Sequence, residues 1–78
     1  MPSSKEKDKA NKPDPRLLKE VKKYQEAVSE NPENEDAVFG LGQALYRVGD
    51  VHGAMEQYEN LRDLDEDLAD QLLDIIEG

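Results

Sequence analysis

There is no cysteine and no tryptophan among the 78 residues, and only one phenylalanine and one histidine. Without cysteine the chain has no disulfide, no thiol nucleophile and no zinc–thiolate site, and it fits a reducing compartment. The single histidine, His52, lacks a second histidine or cysteine with which to share a metal and an oriented partner for general-base work. It reads as a solvated or locally hydrogen-bonded side chain. No apolar run is long enough to cross a bilayer, and the N-terminal stretch has no signal-peptide core, so the expectation is a cytoplasmic chain with no membrane partner. Gly-rich phosphate loops, nucleophile–base pairs and paired histidines are missing as well. The chain is therefore expected not to be an enzyme and to need neither cofactor nor metal.

What is abundant is charge, unevenly placed. The formal net charge is -9. Met1 to Lys23 holds eight Lys or Arg against four Asp or Glu, a balance of +4, whereas Tyr24 to Gly78 holds two against fifteen, a balance of -13. A body this acidic repels phosphate backbones, which argues against nucleic acid as a partner and favours a basic or apolar one. Solvation of acidic helices is the plainer use of the same charge.

Residues 1–13 alternate Lys with Glu and Asp and carry only Met1 and Ala10 as apolar side chains, so the expectation is a disordered basic tail. A folded domain is expected over 14–78. Asp14-Pro15 sets an N-cap and a first-turn proline, and Leu17, Val21, Tyr24 and Val28 then recur at helical spacing to about Glu30, with Leu18 and Ala27 widening the stripe. Asn31-Pro32 stops that helix. A second is predicted from Asn34 or Glu35 to Val48, on Ala37, Val38, Leu41, Ala44, Leu45 and Val48, ended by the turn Gly49-Asp50. The third, about Val51 to Leu64, places Val51, Ala54, Met55, Tyr58 and Leu61 on one face. Asp65-Glu66-Asp67 reads as a polar break before a fourth, Leu68 to Glu77. No strand signal competes.

Shifting the sequence by 34 residues lays Leu17 on Val51, Val21 on Met55, Tyr24 on Tyr58, Val38 on Leu72 and Leu41 on Ile75. A period of this length signals stacked helical units. On these residues the chain resembles the tetratricopeptide repeat (TPR) family from about Leu17 to Ile76. Leu41-Gly42 matches the family's Leu-Gly pair, Gly49-Asp50 its inter-helix turn, Ala54 its small residue, Tyr58 its aromatic and Pro32 the proline closing the preceding repeat. Departures are Val38 in place of the frequent tryptophan, Leu45 in place of an aromatic, Glu20 in place of alanine and Glu66 in place of the closing proline.

The resemblance implies an all-α fold: antiparallel helical hairpins of a TPR-like right-handed superhelix, four helices in all. One repeat is complete, preceded by a lone helix and followed by a terminal one. The packing set is Leu41, Gly42, Leu45, Gly49, Ala54 and Tyr58, where small residues let two helices approach and larger ones fill the space beside them. The resemblance also implies a partner groove on the second helix, formed by Asp36, Phe39, Gln43, Tyr46 and Arg47. Phe39 either lines that groove with Tyr46 or packs on the first helix. Members that grip a carboxylate terminus use Lys, Asn and Arg there, and this chain has Phe39 and Gln43 instead. Asp63, Asp65, Asp67 and Asp74 mimic a calcium loop, but Leu68 stands where that loop needs glycine. The expected function is non-catalytic: a scaffold that binds a peptide or helix of another protein. The alternative is a structural unit, or a repeat fragment, that forms homo-oligomers, since about two helical pairs fall short of the roughly three units such arrays need.

Overall fold

The computed structural model describes residues 14–78; the expected tail lies outside the described residues. Four helices follow one another: α1 (Pro15–Glu30), α2 (Glu35–Arg47), α3 (Val51–Leu64) and α4 (Glu66–Glu77). There is no strand among the described residues.

Each helix begins on a side-chain cap, which satisfies N–H groups that have no partner within the helix. Arg16 N–H donates to Asp14 Oδ1 (2.8 Å), Ala37 N–H to Asn34 Oδ1 (3.2 Å), and Gly53 N–H to Asp50 Oδ1 (2.8 Å). Helix α2 closes as the sequence predicts. Gly49 takes φ +90°, Gly49 N–H donates to Tyr46 O (3.0 Å) and Asp50 N–H donates to Leu45 O (2.9 Å). That bond pair is a Schellman closure, and Asp50 in the same turn caps α3.

The last turn differs from expectation. Helix α4 starts at Glu66, not Leu68, and a single residue, Asp65, separates it from α3. Asp65 Oδ1 accepts from both Asp67 N–H (3.0 Å) and Leu68 N–H (3.2 Å), so the acidic triplet is a helix start and not a break. The four-residue connection Asn31–Asn34 between α1 and α2 has no counterpart here.

Val38, Leu61, Ala69 and Leu72 form one buried cluster, and Leu41, Leu45 and Ala54 form a second. Val38 near the start of α2 meets Leu61 near the end of α3, and Leu41 and Leu45 meet Ala54 near its start, so the two helices run antiparallel. Ile76 late in α4 packs against the cluster containing Ala54, which turns α4 back along α3. Helix α2 touches all three other helices, whereas α1 touches α2 alone. Full burial of Val38, Leu61 and Leu72 contributes about 1.5–3 kcal/mol each.

Two side chains placed on apolar stripes are exposed instead: Leu18 at 48% and Val51 at 47%. Both sit at helix starts on flanks that no neighbouring helix covers. The 34-residue correspondence also breaks in α4. Ala37 and Gly40 are buried, yet their counterparts Gln71 and Asp74 are exposed, while Ala69 is buried where its counterpart Glu35 is not. In α4, Ala69, Leu72 and Ile76 are packed onto α2 and α3. This helix acts as a cap across the hairpin and does not repeat the placement of α2.

Candidate protein-binding face

Two glycines fix the position of α2 among its neighbours. A Cβ on Gly40 would fall 2.6 Å from Cε1 of Tyr24, in α1. On Gly42 it would fall 2.5 Å from Cδ2 of Leu72, in α4, and 3.3 Å from Cβ of Gln57, in α3. Gly42 was expected to serve the crossing of α2 with α3; its tightest neighbour belongs to α4. Gly40 lies outside the apolar stripe of α2, and a glycine inside a helical pattern is itself a sign of close approach.

With Gly40 against α1, Gly42 against α4 and Leu41 and Leu45 toward α3, one sector of α2 stays open. At about 100° per residue, Asp36, Phe39, Gln43, Tyr46 and Arg47 fall in that sector. Asp36 and Arg47 are exposed; Phe39, Gln43 and Tyr46 are half-buried. Phe39 packs against the Val38, Leu61, Ala69 and Leu72 cluster, on which Val28 of α1 also packs, and Tyr46 packs against the Leu41, Leu45 and Ala54 cluster. The two aromatics thus rest on different core clusters, one near each end of α2. Arg47 Nη1 lies 3.7 Å from Glu20 Oε1 across the α1 edge, an exposed pair that steadies its position and contributes at most about 1 kcal/mol.

The packing residues lie where small and large must alternate. Ala54 is wholly buried, Leu41 and Leu45 are buried beside it, and Tyr58 is half-buried against the other cluster, with the Arg62 guanidinium 5.8 Å from its ring centre. Helix α3 carries a buried side-chain oxygen, Oε1 of Gln57, without a hydrogen-bond donor. A separate shallow cleft, lined by Val28, Pro32, Val38, Asn60, Asp63 and Leu64, lies where α1 ends and α2 begins. It includes none of the five open-face residues.

The face is uncharged at its centre and carries opposite charges at its two ends. Asp36 and Glu35 stand at its N-terminal end and Arg47 at its C-terminal end, each on the side that the helix dipole favours. His52 is exposed. Among the described residues no three His, Asp or Glu side chains are arranged to hold a metal ion, and no helix is long and apolar enough to cross a membrane.

Residues 15–72 match the family described as the bacterial transcriptional activator domain. That match gives a helical-repeat-like domain of the TPR-like superfamily, the coarser form of the resemblance read from the sequence. The chain has no significant match among curated proteins or solved structures.

Proposed function

The chain belongs to the bacterial transcriptional activator domain family, and from that premise we propose that it is a non-catalytic protein-interaction module whose partner binds across the open sector of α2. The partner is a peptide or helix of another protein. Its contacts are apolar at Phe39 and Tyr46, polar at Gln43, and ionic at Asp36 and Arg47. In this reading α2 and α3 are the one complete tetratricopeptide-type hairpin. One observation carries the proposal: α2 is held by three helices yet keeps two half-buried aromatics on the sector that none of them covers. Aromatics anchored on a rigid core and open on one side are what binding hot spots are made of.

Charge argues the partner's class. The balance of -13 over Tyr24 to Gly78 disfavours a phosphate backbone, so a domain of this family would meet protein with this body. A basic amphipathic helix, apolar along one stripe, is complementary.

The test is an NMR titration of the full chain with a Lys/Arg-flanked amphipathic helical peptide. Shifts should concentrate at Phe39, Gln43 and Tyr46 and vanish in the Phe39→Ala/Tyr46→Ala variant. Shifts confined to other helices, or undiminished in that variant, would overturn the reading.

A further inference from the structure

Helix α1 is only half covered. It touches α2 alone, none of its residues is buried, and Leu17, Val21, Tyr24, Ala27 and Val28 are all half-buried while Leu18 is exposed. The first half of the same helix exposes Arg16, Lys19, Lys22 and Lys23 with Glu20 among them, and the second half exposes Glu26 and Glu30. At the other end of the array, α4 carries Glu66, Asp67, Asp70, Asp74 and Glu77 with no basic residue, and its half-buried Leu73 and Ile75 stand outside both core clusters.

We propose that the open flank of α1 is a second interaction surface and that its occupant is α4 of another copy of this chain. Charge selects that occupant. The first half of α1, Pro15 to Lys23, holds four basic side chains against Glu20 alone, and α4 holds five acidic side chains and no basic one, so each copy carries both halves of an attractive pair at opposite ends of its helix order. Among the helices, α4 is the one whose ionisable groups are all acidic, whereas α3 places Arg62 among its acids. Apolar surface is available on both sides: Leu18 beside Lys19 and Lys22 on one, Leu73 and Ile75 among the α4 carboxylates on the other. The two surfaces differ, so the contact is heterologous, unlike a symmetric pairing of α1 with α1. It lies apart from the α2 face and leaves Phe39 and Tyr46 free.

Sedimentation of the full chain over a wide concentration range tests this, with Lys19→Glu/Lys22→Glu as an α1 variant and Asp70→Lys/Asp74→Lys as an α4 variant. All four positions are exposed, and circular dichroism checks that each variant keeps its helices. The unaltered chain should associate with rising concentration and revert toward monomer in about 0.5 M salt, where exposed charges are screened. Each variant alone should lose association, the α4 variant despite its smaller net charge, and an equal mixture of the two should regain it. A monomer at every concentration would overturn the proposal. So would an α4 variant that associates like the unaltered chain, since that marks an α1–α1 pair or simple relief of charge repulsion. Association unchanged in Phe39→Ala/Tyr46→Ala separates this contact from the α2 face.

Discussion

The Tyr24 ring occupies the space that a side chain at Gly40 would need: a built Cβ lies 2.6 Å from Cε1, 2.7 Å from Cζ and 2.9 Å from Cδ1. This pair sets how closely α1 approaches α2. Alanine at position 40 gains about 1 kcal/mol of helix propensity but must displace the ring. Overpacking costs about 1–3 kcal/mol, so Gly40→Ala should destabilise on balance. In a Tyr24→Ala background the clash is gone, and the same substitution should stabilise. A double-mutant cycle of thermal melts checks the reversal of sign.

Ala54 has no exposed surface and sits against Leu41 and Leu45. Ala54→Leu should therefore cost about 1–3 kcal/mol by overpacking the α2–α3 crossing. A melt showing equal or greater stability would refute the close apposition on which the hairpin rests.

Gln57 offers the opposite prediction. Its side-chain oxygen is buried without a donor, and leaving such an acceptor unpaired costs about 1–3 kcal/mol. Gln57→Met keeps an unbranched side chain of similar length while removing the amide. It should raise the unfolding free energy by about 1 kcal/mol, read from denaturant midpoints at unchanged slope.

Asp65 caps α4 across a one-residue connection, donating no slack to the turn. Asp65→Ala leaves the N–H groups of Asp67 and Leu68 without that acceptor and should cost about 1 kcal/mol. Amide exchange should speed first at those two positions. Uniform acceleration across all four helices would argue against a local cap.

At the start of α1, the Arg16 side chain and then the Arg16 N–H donate to the Asp14 carboxylate and hold its pKa below the ordinary value. A folded-state pKa lower than the unfolded one gives stability that is present above the unfolded value and lost as pH falls through the folded one. Both groups are on the surface, so the effect is local. Acidification below the ordinary carboxylate range should fray the first turn of α1, seen as line broadening at the Leu17 and Leu18 amides, which bond to Asp14 O. Asp14→Asn should remove that pH step.

Much of this architecture is legible in local chemistry. Asp14-Pro15, Gly49-Asp50 and Leu64-Asp65 mark helix boundaries because capping and left-handed closure depend on residues only a few positions apart. The apolar spacing likewise identifies Val38, Leu41, Leu45, Ala54 and Leu61 as core. The α4 start was misplaced because an Asp-Glu-Asp triplet reads equally as a break or as a cap followed by an acidic first turn. Leu18 and Val51 were misplaced because periodicity reports which residues share a face, not whether another helix arrives to cover it.

By itself, then, the sequence determined four helices, their order, the position of their first two turns and the lack of thiol or clustered-histidine chemistry, since these follow from contacts within a few residues. Only the tertiary structure decided that Gly40 yields to Tyr24, that Gly42 yields to Leu72, and that α4 crosses the hairpin on Ala69 and Leu72. Those relations join residues far apart in the chain, and they are settled by which side chains compete for one volume, a quantity that no single stretch of sequence contains.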